Sequence, residues 1–283
     1  MKVSLHTADI YVPDGIDEAS ALSRTTHLGI AAHQDDLEIM AADGILACYQ
    51  QPERWFTGVV VTDGAGSPRS GRYVDFTDVQ MRQVRRTEQK KAADIGKYSA
   101  VVLLDHPGAV VREAARSGPV DDLVVVLRAT RPTVVYTHNL ADKHDTHVAV
   151  ALRAIAAIRR LPLADRPSRL YGCEVWRDLD WVVDEDKVVF DLSAHEDLRV
   201  ALVSVFDSQI AGGKRYDLAT EGRRRANATY AAPHGTDAAS ACIYALDLTP
   251  LVSDDSLDPA AFVRGAIDRF RQDVGDRIGR FAR

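Results

Sequence analysis

Two short segments of the chain concentrate the residue types that bind metals and move protons. The first, Ala32-His33-Gln34-Asp35-Asp36-Leu37-Glu38, packs one imidazole and two adjacent carboxylates into four positions. The second runs from Thr137 to His147. It holds His138, His144 and His147 with Asp142 and Asp145, in a chain that has only nine histidines. Imidazole and carboxylate together suit Zn²⁺ and similar divalent ions. Adjacent carboxylates such as Asp35 and Asp36 repel each other unless a cation or solvent separates them. His144 and His147 are three apart, so at a helix start they face the same way. Either cluster alone also fits a solvated turn, because aspartate is favoured at helix starts. Both together, each after a strand, point to a metal centre.

The elements that must position these clusters alternate. The spacing predicts strands over His27 to Ala32, Trp55 to Val61, Ala100 to Leu104 and Thr133 to Thr137. Helices are predicted over Glu38 to Gln50, Thr77 to Ile95 (stopped by Gly96), Val120 to Ala129 and Thr146 to Arg160. That alternation implies an α/β fold with a parallel sheet covered on both faces. Ligands of such sheets bind outside the carboxyl ends of the strands. The first cluster directly follows the first strand and the second follows the fourth. Beyond Trp176 the pattern is less regular. Strands are expected over Leu170 to Trp176, Lys187 to Leu192 and Cys242 to Leu248. Helices are expected over His195 to Ile210, Tyr216 to Tyr230 and Pro259 to Phe281.

Composition narrows the function. A formal net charge of −6 gives no reason to expect nucleic acid or an anionic membrane as partner. Cys48, Cys173 and Cys242 lie far apart and form no C-x-x-C pair. That argues against a disulfide framework and a thiolate zinc site, and fits a cytoplasmic location. No apolar stretch approaches the length of a membrane span, and the first residues lack the apolar core of a signal peptide. The loop from Asp63 to Arg72 follows the second strand, but Arg69 stands where a dinucleotide fingerprint needs its third glycine. A nucleotide-binding oxidoreductase is therefore disfavoured.

The two clusters also carry a resemblance. Ala32-His33-x-Asp35-Asp36-x-Glu38-Ile39, followed later by His144-x-x-His147, resembles the PIG-L/LmbE-like de-N-acetylases. The likeness continues through Arg85-Arg86-Thr87-Glu88 and Ala92-Ala93-x-Ile95-Gly96. It covers roughly the first 175 residues well, and Asp207-Ser208-Gln209 resembles an element of the family's second half. It implies a Rossmann-like, mainly parallel sheet with helices on both faces. The chain would be a single domain over 1–283, with a core of about 26–176 and a less regular C-terminal extension.

The resemblance also implies roles. His33, Asp36 and His147 would bind the metal, leaving a position open for water, as catalytic sites do. Zinc suits this set, and ferrous iron would accept it too. Asp35 would be the general base toward the metal-activated water. His144, if protonated, would stabilise the oxyanion or protonate the leaving amine. Arg72 would hold the substrate, with Arg69 as the alternative, and Glu38 would support the site without being a ligand. The implied substrate is a small N-acetylglucosaminyl-type sugar or conjugate. An amidase acting on a thiol-sugar conjugate and a metal-retaining binding protein without turnover are the alternatives. Homo-oligomerisation stays open. The sequence departs from the family at Gln34, where proline is common. It departs again at Thr146, where the usual His-Pro-Asp-His has aspartate. The task of that aspartate on His144 would fall to Asp145 or Asp142, or lapse.

Overall fold

The computed structural model describes residues 1–282. Eight strands form one sheet: β1 (Asp9–Tyr11), β2 (His27–Ala31), β3 (Phe56–Thr62), β4 (Ala100–His106), β5 (Val134–His138), β6 (Arg169–Cys173), β7 (Lys187–Asp191) and β8 (Cys242–Asp247). Their order is β1-β4-β3-β2-β5-β6-β8-β7. The five strands from β4 to β6 in that order run parallel. The edge strand β1 and the late strands β7 and β8 pair antiparallel.

The sequence of the central strands explains this arrangement. β3 and β4 are buried along their whole length, as strands covered on both faces must be. Alternate residues feed two cores. Leu28, Ile30, Val59, Val61, Val102 and Leu104 pack with helices Gly118–Thr130 and Asp145–Arg159. Ala31, Val60, Val101 and Leu103 pack on the other face with Leu37, Ile45, Ala92 and Tyr98.

The strand order reverses between β2 and β5. From β2 the chain moves outward through β3 and β4; from β5 it moves the other way through β6. A crevice opens at such a reversal, beyond the carboxyl ends of the strands. The segments leaving β2 and β5 there are the two His/Asp clusters.

The helix after β2 differs from the continuous one expected. It is two pieces, Asp36–Met40 and Ala42–Cys48, broken at Ala41 (φ −102°, ψ 22°). The first piece lies close to the sheet because Gly29 and Gly58 are register partners beneath it. A Cβ on Gly29 would meet Leu37 Cδ2 at 2.6 Å, and one on Gly58 would meet Leu37 Cδ1 at 2.5 Å. Leu37 is the neighbour of Asp36, so this packing sets the height of a candidate ligand. Gly58→Ala is expected to destabilise the fold by about 1–3 kcal/mol through overpacking. A urea midpoint equal to that of the unsubstituted protein would show that Leu37 can yield.

Helix Asp78–Gly96 begins at a capping box of Thr77 and Gln80. Gly96 does not stop it: Gly96 is its last helical residue, and Lys97 takes the left-handed turn at φ 53°. Glycine is needed at 96 for room, because a Cβ would meet Tyr98 Cε1 at 2.4 Å. The expected helix from His195 to Ile210 is also divided, into Glu196–Ser204 and Asp207–Ile210. The C-terminal part adds β7 and β8 to the sheet and sends helix Tyr216–Tyr230 back over the site. There Arg224 donates to the Glu38 carbonyl at 2.8 Å. Among the described residues no helix is long and apolar enough to cross a membrane.

Candidate active site

The site starts from a strained turn. Asp35 sits at φ 95°, ψ −31°, a conformation that costs a non-glycine residue on the order of 1–3 kcal/mol. Buried contacts hold it there. Arg85 Nη2 meets Asp35 Oδ1 at 3.2 Å and also donates to the Gln34 carbonyl. The Asp35 N–H donates to Gln89 Oε1 at 3.4 Å. The two adjacent carboxylates consequently have different partners. Asp35 faces an arginine, and Asp36 faces histidines.

Three atoms then converge. His33 Nδ1 lies 3.1 Å from Asp36 Oδ2 and 3.2 Å from His147 Nε2. His147 Nε2 lies 3.3 Å from Asp36 Oδ2. A tetrahedral ion with bonds of about 2.0–2.1 Å needs its donors roughly 3.3 Å apart. The residues therefore fit a divalent ion. His138 and His144 also belong to the histidine clusters here. His138 is not equivalent to the three, because its Nε2 already accepts the Ala32 N–H at 2.9 Å. Its Nδ1 is buried without a partner.

Supporting carboxylates complete the picture. Asp142 Oδ2 lies 3.4 Å from His147 Nδ1, the contact that fixes the ring orientation of a metal-binding histidine. The same Asp142 carboxylate accepts from the backbone N–H of His144 at 2.9 Å and of Trp176 at 3.1 Å. Burial alone would lower the His147 pKa, but Asp36 and Asp142 outweigh it and raise it to about 9. Burial likewise works against the Asp36 charge, but His147 and His138 prevail and hold the carboxyl well below its usual range. Burial pushes Asp35 up to about 7 against the pull of Arg85. Glu38 is pushed up to about 8 by burial, while Tyr98 and Gln89 donate to its Oε1 at 2.7 and 2.8 Å.

His144 caps helix Asp145–Arg159, with its Nδ1 accepting the Thr146 N–H at 3.3 Å. Burial, with His147 and His33 nearby, lowers its pKa to about 4. The resemblance gives His144 its role only if the imidazole is protonated, and burial with these two neighbours works against that charge.

A cavity of about 540 Å³ opens over these groups, lined among others by His33, Asp35, Asp36, His144, Arg85 and Trp176. A smaller cavity of about 260 Å³ adjoins it behind Trp176 and Tyr216. Of the expected site residues, the structure gathers His33, Asp35, Asp36, His144 and His147 in one place. It does not bring Arg72 to the cavity. The Arg72 guanidinium is two-thirds exposed, ion-paired to Asp207 and 2.9 Å from the Tyr73 hydroxyl. Arg69 is likewise turned away, donating to the Ala65 carbonyl and pairing with Asp78. Sequence reasoning missed Arg85 as the partner of Asp35, Asp142 as the partner of His147, and Arg112 and Lys214 on the cavity wall. Arg85 had a signal: Arg85, Glu88 and Gln89 are polar residues on the buried face of a helix.

Residues 28–158 match the family described as PIG-L: GlcNAc-PI de-N-acetylase. No curated protein sequence matches the chain. Among solved structures, N,N'-diacetylchitobiose deacetylase from Pyrococcus horikoshii is similar at a TM-score of 0.62 and 16% identity, covering 82% of this chain and 86% of that one. The 4-carboxy-2-hydroxymuconate hydratase GalB from Pseudomonas putida KT2440 is similar at 0.59 and 16%, covering 79% and 95%. The A40926 pseudoaglycone deacetylase Dbv21 is similar at 0.55 and 16%, covering 80% and 97%. At such identities the likeness is one of fold, and a hydratase shares it, so the site must decide the chemistry. The segment matched to that family, residues 28–158, is the one that carries both His/Asp clusters.

Proposed function

We propose that this chain is a metal-dependent hydrolase that removes the N-acetyl group from an N-acetylglucosaminyl-type sugar or sugar conjugate. The observation that carries the reading is the convergence of His33 Nδ1, Asp36 Oδ2 and His147 Nε2 within 3.1–3.3 Å beside an open cavity. The family of residues 28–158 and the deacetylases among the similar folds support the acetamido substrate.

His33, Asp36 and His147 would hold the ion, zinc by the donor set, with ferrous iron also suited. When bound, it supplies Lewis acidity that polarises the amide carbonyl and strengthens water as a nucleophile at neutral pH. The remaining work belongs to the chain. Asp35 lines the cavity, and its Oδ1 faces Arg85. Asp35 takes the proton of the attacking water and passes it to the departing nitrogen, so that acetate and a free amine result. Arg85 keeps the base in place through the strained turn. Because His144 Nδ1 accepts the Thr146 N–H, its neutral tautomer carries hydrogen on Nε2. That N–H donates to the carbonyl oxygen as negative charge develops there.

The test is metal content together with acetate release from a panel of N-acetylglucosaminyl compounds. About one zinc or iron per chain with acetate release is expected. Metal without acetate from any compound would remove the deacetylase reading. Absence of metal after reconstitution would remove the ligand assignment. His144→Ala is expected to retain the ion and lose about 10²–10³-fold in kcat, the scale of one oxyanion donor. Turnover equal to the unsubstituted enzyme would take His144 out of the reaction.

A further inference from the structure

The last helix, Pro259–Phe281, is 23 residues long, and only Val263 and Ala266 on it are buried. Its first half rests on the body of the protein. Phe262 packs against the core, Arg269 pairs with Asp186, and Phe270 meets the Trp181 ring edge-on at 6.3 Å. Beyond Phe270 the side-chain bonds among the described residues stay within the helix, such as Gln272 to Asp276 at 2.8 Å and Arg277 to Asp273 at 3.1 Å.

This half is nevertheless not polar all round. Ile267, Phe270, Val274, Ile278 and Phe281 are 46, 38, 38, 62 and 82% exposed. At about 100° per residue they share one stripe roughly 80° wide, continuous with the face of Val263. A short helix in water is marginal, and its stability in a protein comes from packing its apolar face. Gly275 and Gly279 weaken this one further, by about 1 kcal/mol each relative to alanine. A Cβ on either would meet nothing within 4 Å, so neither makes room for a neighbour in the same chain. A helix of this composition with a bare apolar stripe is completed by a partner.

The pattern of the stripe identifies that partner. Its spacings are three, four, four and three residues, the same read in either direction from Val274. A two-fold axis requires such symmetry, because residue i must meet j while j meets i. Two copies crossing antiparallel at Val274 set Ile267 against Phe281 and Phe270 against Ile278, each pair twice. The most exposed end of one copy then covers the end nearest the body of the other. The flanks agree with this pairing. Asp273 and Arg277 lie on the same side of the stripe, before and after Val274, so Asp273 of each copy comes beside Arg277 of the other. On the opposite side Gly275 meets its own counterpart, where the lack of a side chain lets the helices approach. Asp268, Asp273 and Asp276 interrupt the arginines of the helix, which speaks against an anionic lipid surface as the occupant.

We infer that this face is an interface with a second copy of the chain, in which the two Pro259–Phe281 helices pack antiparallel about Val274. The stripe exposes on the order of 500 Å² per copy, at the small end of specific interfaces, so the dimer is expected to be weak, with Kd of about 1–100 μM.

Sedimentation equilibrium over about 1–200 μM tests this, and the mass is expected to rise from one chain toward two. Ile278→Asp should raise Kd about tenfold or more and leave the thermal midpoint of the dilute protein unchanged. Val274→Cys tests the geometry. The three native cysteines are buried, so mild oxidation of this variant should join two copies through position 274. Ile278→Cys should be joined far less, because it faces Phe270 of the other copy. A single-chain mass over the whole range would overturn the inference. So would a dimer that Ile278→Asp leaves intact, or equal joining of both cysteine variants, which would mean parallel helices. A protein that stays monomeric and binds phosphatidylserine vesicles through this helix would overturn it in favour of a membrane surface.

Discussion

Asp35→Asn is expected to lower kcat for acetate release by about 10³-fold while the metal content stays that of the unsubstituted protein. The size follows from general base catalysis, which contributes roughly 10²–10⁴-fold. Asparagine has nearly the shape of aspartate, and its carbonyl oxygen can still accept from Arg85, so the turn at φ 95° is retained. Asparagine is also among the residues that best tolerate positive φ. What it cannot do is take a proton from water. The loss should therefore appear in kcat, with KM little changed. Metal analysis on the same preparation separates the roles. A variant that loses the ion would make Asp35 a ligand. A variant that keeps both ion and turnover would move the proton transfer elsewhere, with His144 the nearest candidate.

Asp36→Ala is expected to bring both metal content and activity down to background. Asp36 Oδ2 is the atom on which the site converges: it meets His33 Nδ1, His147 Nε2 and the His33 N–H. His138 Nε2 stands 3.5 Å away from the same oxygen. Without it, the imidazoles of His33, His138 and His147 lose the carboxylate oxygen that they share. Two neutral imidazoles give a weaker site than the three-ligand set, and the balancing charge is lost as well. Metal retained at one per chain would place the ion on another set, with His144 as the substitute ligand. Comparing thermal unfolding with and without added zinc gives an independent readout. The unsubstituted protein should be stabilised by the ion and the variant should not.

How much of this was legible in the sequence depends on chemistry and on distance along the chain. The five residues gathered at the cavity announced themselves because imidazoles and carboxylates are costly to place together at strand ends without a purpose. The parallel sheet was legible because strand-like and helix-like segments alternate through the first half of the chain. The division at Ala41 was not, because it depends on how closely Leu37 lies on Gly29 and Gly58, two strands that the sequence lists far apart. Asp142 was placed in the right neighbourhood, but its assignment to the His147 ring needed the geometry of the turn. Arg72 shows the opposite failure. The resemblance implied a substrate contact, yet Arg72 pairs with Asp207, 135 positions away, and does not line the cavity. Arg112 was invisible because the helix that carries it is only five residues long and has no clear period.

The two halves of the proposed metal site lie 114 positions apart in sequence and meet only because β5 docks directly against β2. That pairing closes a long loop, and contacts of this kind form slowly during folding. Until β5 is seated, the chain offers His33 and Asp36 alone, a poor site. Full affinity for the ion thus appears only when the centre of the sheet is complete. Binding then favours the finished fold over every intermediate that lacks that docking. In a refolding experiment, the ion would act as a latch on the β2–β5 pairing, and the rise of metal affinity would time its closure.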